Sequence, residues 1–222
     1  MSNILPNTFA FLHDLNENNN RDWFTDHKPI YQKAHANVAE FMDSLITEMK
    51  KVDQIENESG KKSMFRIYND VRFAKGKPPY KTHFGAHLSR ATCWLRGGYY
   101  IHFEPGNTFL GCGFWSPNKD DLKLIRDELA HNAKPLRSIL SDPDFKKMFG
   151  ELKGEAVKTA PRGFDKDHPN IDLIRFKSFY FEHHFFDSEV LDENFVFEVT
   201  KTFLHIRPFF DYMSEILTRH LE

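Results

Sequence analysis

The chain has 222 residues, a formal net charge of −2, two cysteines and 23 phenylalanines. A balance so close to neutral excludes a protein that coats nucleic acid over its whole surface, and two cysteines exclude a disulfide scaffold or a cysteine-rich zinc module. No stretch approaches the roughly 18 apolar residues of a membrane span, and the first residues lack the basic start of a secretory signal, so a soluble cytoplasmic protein with no membrane partner is expected.

In chain order, Asn7 is placed to cap a first helix whose Phe11, Leu12 and Leu15 share a stripe. Asn20 caps a second short helix, and Pro29 suits the first turn of a third, where Tyr31, Ala34, Val38, Phe41, Met42, Leu45, Ile46 and Met49 recur at helical spacing. A polar loop over 53–62 follows. From 64 to 73, Phe65, Ile67, Val71 and Phe73 alternate with Arg66, Tyr68, Asp70 and Arg72, the pattern of a half-buried strand. Pro78 and Pro79 stiffen a loop that carries Lys75, Lys77 and Lys81.

Three more alternating runs follow on short connections, around Phe84–Leu88, Tyr99–Phe103 and Leu110–Phe114, which favours an antiparallel meander. Ser116-Pro117 signals a helix with Leu122, Ile125 and Leu129, a further helix holds Leu136, Ile139 and Leu140, and Asp142-Pro143 starts a third, closed by Gly150. Residues 151–170 read as irregular, and a strand is expected near 175–184. A C-terminal helical stripe from Phe195 to Leu217 is broken or kinked by Pro208. The class expected is α+β: a single domain over 1–222, with a mostly antiparallel sheet, N- and C-terminal helices packed on one face and a polar, basic opposite face.

That opposite face is where chemistry is expected. Between residues 61 and 90, eight basic side chains accompany one acidic residue, Asp70, so local pairing cannot neutralise them. Arg66 and Arg72 offer forked donors suited to phosphate or carboxylate, and Lys75, Lys77 and Lys81 add point charges at the rim. Asp70, His83 and His102 are candidates for proton transfer. Tyr100 and Trp115 offer rings for stacking, while Arg162 and Lys177 add charge from later segments; Gly85, Gly111 and Gly113 leave room for a ligand. A solvated strand face laced with ion pairs is the ordinary alternative.

No metal is favoured. His83 and His87 lie four apart on a strand, about 13 Å at roughly 3.3 Å per residue, so both cannot hold one ion. One of them with His102 and Glu104 makes a two-histidine, one-carboxylate set if the cross-strand register permits. His183 and His184 point to opposite faces of any strand, and Cys112 falls on the apolar side, where an inert thiol is expected. No nucleophile-elbow, Walker or dinucleotide fingerprint occurs, and no cofactor is identified.

NNNRDWF at 18–24, MFRIYNDVRFAKGKPPYKTHFGAH at 64–87, GYYIHFEPG at 98–106, PRGFDKDHP at 161–169 and LIRFKSF at 173–179 together resemble the domain of unknown function 2461 family of bacteria and fungi. The likeness runs from about Phe9 to Leu217. It departs at Gly76 and Pro78, where such proteins often carry an acidic residue and a Ser or Thr. The resemblance implies a chain that is one domain, and it carries over no activity and no residue roles. The leading expectation from the residues is a binding protein or enzyme for a small anionic ligand, phosphorylated or nucleotide-like. A module for single-stranded nucleic acid and a protein-interaction scaffold are the alternatives.

Overall fold

The computed structural model describes residues 3–70 and 76–221. Eleven α-helices and four strands among them make the protein α+β. In chain order these are α1 (Pro6–Glu17), α2 (Arg21–Asp26), α3 (Lys28–Met49), α4 (Gly60–Ser63), β1 (Phe84–Ser89), β2 (Gly98–Phe103), β3 (Thr108–Phe114), α5 (Lys119–His131), α6 (Lys134–Ser141), α7 (Pro143–Phe149), α8 (Ile171–Ile174), β4 (Phe179–Phe185), α9 (Asp187–Val190), α10 (Phe195–His205) and α11 (Arg207–Thr218). The sheet is antiparallel, in the order β1-β2-β3-β4. Its apolar positions are those the alternation predicts: Phe84, Ala86 and Leu88 on β1, Tyr99, Ile101 and Phe103 on β2, and Leu110, Cys112 and Phe114 on β3 are all buried.

Several boundaries follow the expected caps and others do not. The Asn20 side chain accepts the Trp23 N–H at 3.0 Å, and the Asp142 carboxylate accepts that of Phe145 at 2.9 Å. α1, however, begins at Pro6 with Leu5 in the cap position, because a proline at the first turn sacrifices no N–H bond; Asn7 is inside the helix. α5 is capped by Asn118, which accepts from the N–H groups of Asp120 and Asp121 at 2.9 Å, rather than by Ser116. At the far end Pro208 sits in the first turn of α11 and separates it from α10, as a ring without an N–H must.

The larger correction concerns 64–73. Residues 64–70 form no strand, only two isolated bridges, Met64 with Ala86 and Tyr68 with Tyr80, and 71–73 lie outside the described residues. The segment does run beside 79–86: the Phe65 N–H reaches Gly85 O at 2.8 Å, the Lys81 N–H reaches Ile67 O at 2.7 Å and the Asn69 N–H reaches Pro79 O at 2.9 Å. No continuous ladder joins the two bridges because they are out of register, three residues separating Met64 from Tyr68 and five separating Tyr80 from Ala86, and Pro78 and Pro79 have no N–H to extend the pairing beyond Tyr68. The Lys81 ammonium also takes the Arg66 carbonyl, at 2.8 Å. Ile67 is buried as expected, but Phe65 is 46% exposed. The fourth strand of the sheet is β4 instead.

The chain divides into two compact units. The first comprises Met1–Ser89, Tyr100–Leu110 and His184–Lys201. Here α3 buries its predicted stripe from Ala34 to Met49, with Tyr31 half-buried, and Phe41 packs edge-on to Phe103 at 5.5 Å and stacks with Phe195 at 5.5 Å. Asn37, buried on α3, ties down the start of the chain: its Oδ1 accepts from Leu5 N–H at 3.0 Å and from the Thr8 hydroxyl at 2.7 Å. The second unit comprises Arg90–Tyr99, Gly111–His183 and Thr202–Glu222. Its core sets Tyr99 against Phe203 and Phe210 at 4.7 and 5.2 Å, and Phe181 against Phe145 and Phe209 at 5.1 and 5.0 Å. The 151–178 segment is irregular apart from α8, and the Arg126 guanidinium fastens it by donating to the carbonyls of Ile174 and Phe176, each at 3.0 Å.

Candidate functional site

The polar face of the first unit is built as a row of rings across the strands. β2 directs Tyr100 and His102 away from the apolar Tyr99, Ile101 and Phe103. His83, one residue before β1, lies over His102 with ring centroids 4.1 Å apart; Phe109 stacks on His102 at 4.6 Å, and His184 continues the row at 5.3 Å from Phe109. Gly85 makes room for Tyr100, since a Cβ there would stand 2.8 Å from the Tyr100 hydroxyl.

Glu104, immediately after β2, supplies the carboxylate. The turn that follows holds it by its backbone and its side chain: the Asn107 N–H donates to Glu104 O at 2.9 Å, and the Asn107 amide donates to Glu104 Oε2 at 2.8 Å. The Thr82 hydroxyl donates to Glu104 Oε1 at 3.1 Å. His102 Nε2 lies 3.2 Å from Glu104 Oε2, and its other nitrogen lies 2.9 Å from the Tyr100 hydroxyl. Glu104, His102 and Tyr100 thus form one hydrogen-bonded chain, flanked by His83.

Burial dominates the protonation of these groups. It pushes His83 down to about 4, helped by His102 and Lys81 and opposed by Glu104. Burial also lowers His102 against the pull of Glu104, and raises Tyr100 to about 12. For Glu104 burial alone would raise the carboxyl, but the hydrogen bonds from Asn107, His102 and Thr82 outweigh it and the net shift is downward. At neutral pH the cluster therefore holds two neutral imidazoles, a phenol and a carboxylate.

The basic rim lies beside it. The Lys81 ammonium sits 5.9 Å over the Phe65 ring, and Phe65 in turn faces His87 at 5.3 Å and Tyr100 at 6.1 Å. Burial, then the positive charges of Arg66 and Lys77, lower the Lys81 pKa. Arg66 and Lys77 are exposed, and among the described residues neither forms an ion pair.

Of the residues expected to act together, His83, His102, Tyr100, Lys81 and Arg66 share this unit, with Lys77 on the adjoining loop. Asp70 is exposed, and the carboxylate that meets the imidazoles is Glu104. His87 lies outside the grouping and packs on Phe65 instead. Arg72 and Lys75 lie outside the described residues. Trp115, Arg162 and Lys177 belong to the second unit, where Trp115 stacks on Tyr180 at 6.2 Å and Lys177 lies 3.8 Å from Glu155. Thr82 and Asn107, the partners of Glu104, are site residues the sequence did not single out, because their roles depend on which strands pair and on the turn after β2; Phe109 is expected on the polar face but not as the ring stacked on His102.

Cys112 is fully buried and its thiol is pushed well up by burial, whereas Cys93 is exposed. A thiol reagent is therefore expected to label Cys93 in the folded chain and Cys112 only after denaturation. Two labels on the native protein, counted by mass spectrometry, would contradict this.

No curated protein and no solved structure matches the chain. The family model described as Conserved hypothetical protein (DUF2461) matches residues 7–212, from α1 into α11 and through both units, and the chain belongs to that family.

Proposed function

We propose that the protein binds a small anionic ligand, phosphorylated or nucleotide-like, on the polar face of the first unit, with the Glu104–His102–Tyr100 chain and His83 beside it to handle protons. One observation carries this reading. The Lys81 ammonium is held by a backbone carbonyl at 2.8 Å and, among the described residues, not by a carboxylate, so its charge is oriented without being neutralised by them. Arg66 and Lys77 reinforce it from nearby, and the exposed Phe65 ring offers a surface for stacking. Such a field raises the local concentration of anions.

The test is a calorimetric titration of the full chain with phosphorylated metabolites, nucleotides and pyrophosphate. A charge-assisted hydrogen bond contributes about 1.5–3 kcal/mol, so Arg66→Ala and Lys81→Met are each expected to weaken binding about tenfold or more. Failure of every anion to bind, or equal binding by both variants, would overturn the reading.

A second reading has one observation in its favour: Phe65 and Tyr68, 46% and 47% exposed, flank the same cations, as single-strand binding surfaces do. It predicts oligonucleotide affinity that falls steeply with salt. The charge outside residues 61–90, −9 in total, weighs against a long polymer and for a small ligand.

A further inference from the structure

We propose that His83, His102 and Glu104 form a binding site for one divalent first-row transition metal ion, with three protein ligands and a remaining position open towards the anion-binding side chains. It deepens the reading above and rests on the same cluster, but makes a separate demand on it.

The three side chains come from the start of β1, from β2 and from the turn after it, and one donor atom of each lies within 4.8 Å of the others. In a tetrahedral site with bonds of about 2.0–2.2 Å, ligand atoms stand about 3.3 Å apart, so the donors must draw in by about 1.5 Å at most. A displacement of that size is of the order that a change of side-chain rotamer gives. The donor set, two imidazoles and a carboxylate, suits zinc with an open fourth position or iron(II) and similar ions in a facial arrangement.

Two further features distinguish the cluster from histidines that merely pack. First, Glu104 forms no ion pair with a lysine or arginine among the described residues, although its side chain is only 28% exposed. Its basic neighbour there is His102, 3.2 Å away and neutral at neutral pH, so a bound cation would supply the missing charge. Second, the ligands are oriented from behind. Thr82 and Asn107 donate to the Glu104 oxygens, and the Tyr100 hydroxyl lies 2.9 Å from His102 Nδ1. Without metal His102 donates from Nε2 to Glu104; ligation through Nε2 moves that proton to Nδ1, from which it donates to the Tyr100 oxygen, the outer arrangement that metal-bound histidines regularly show. His87, four residues after His83 and exposed on β1, packs on Phe65 and has no such surroundings among the described residues.

The full chain, stripped with a chelator, would be titrated with zinc by calorimetry and with cobalt(II) by its visible absorption. One equivalent is expected, with tetrahedral or five-coordinate cobalt bands. His83→Ala and Glu104→Ala should abolish stoichiometric binding, and His87→Ala should leave it unchanged. Tyr100→Phe should weaken it about 10- to 100-fold, the usual loss for an outer-shell partner. Circular dichroism of each variant checks folding; should the Glu104 variant fail to fold, His83→Ala and Tyr100→Phe still decide the matter. Absence of zinc and cobalt binding by the wild type, or one-equivalent binding retained by His83→Ala, would overturn the proposal. Pyrophosphate titrated in the presence of chelator separates the two readings: binding there without metal binding leaves the anion site standing and removes the metal, and the converse removes the anion site alone.

Discussion

Phe41→Ala is expected to destabilise the protein by about 3–5 kcal/mol, the range for emptying a large aromatic from a packed core. Phe41 has no exposed surface, and its ring meets Phe103 and Phe195, both at 5.5 Å. Helix α3 can close the gap only by shifting as a whole, which its other buried side chains Val38, Met42 and Leu45 resist, so most of the cavity persists. Loss of the two aromatic pairs adds about 0.5–1.5 kcal/mol each beyond area, already within that range. Phe103 lies between His102 and Glu104 in the chain, so α3 also backs the candidate site. Phe65→Ala, at a half-exposed ring, is the comparison and should change stability by about 0.5 kcal/mol or less. Urea denaturation of the three proteins measures both; a cost below about 1 kcal/mol for Phe41→Ala would show that the core is not organised around α3.

How much of this was legible from residues depends on whether a pattern is local. The α3 stripe and the alternation of β1, β2 and β3 are local, and each appears where the periodicity places it. The strand expected over 64–73 also had a sound local pattern, but a strand exists only if a neighbour can pair with it. That neighbour carries two more residues between the bridges than the segment does, so the register shifts, and the Lys81 ammonium takes a carbonyl from the segment. The fourth strand was supplied by residues more than sixty positions after β3, a choice no local pattern contains. The candidate site divides in the same way. Tyr100, His102 and Glu104 sit on or next to one strand at spacing two and were readable together. That His83 rather than His87 meets them depends on the offset between β1 and β2, and Thr82 and Asn107 become partners of Glu104 through that offset and through the turn at Pro105-Gly106.

Gly60→Ala is expected to weaken both stability and the site, although Gly60 touches no site residue. A Cβ there would stand 2.0 Å from the Ala39 carbonyl oxygen and 2.8 Å from Asp43 N and Met42 Cβ, so the first residue of α4 lies directly against the backbone of α3. The Gly60 N–H also donates to Asp43 Oδ1 at 2.6 Å, which fixes α4 in place. Alanine normally gains about 0.8–1 kcal/mol over glycine in a helix. Overpacking costs about 1–3 kcal/mol, and more where backbone must yield, so the clash wins and the net change is destabilising. Relief requires α4 to move off α3, and α4 leads directly into Met64, Phe65 and Arg66, which run beside β1 through the Phe65–Gly85 hydrogen bond. A shift of α4 therefore displaces Arg66 and Phe65 from Lys81, and pyrophosphate affinity should fall together with the urea midpoint. Asp43→Asn, which keeps an acceptor for the Gly60 N–H, should disturb both far less. If Gly60→Ala instead left the midpoint unchanged or raised it, the close approach of α4 to α3 would be wrong, and with it the account of how the 64–70 segment is held over the polar face.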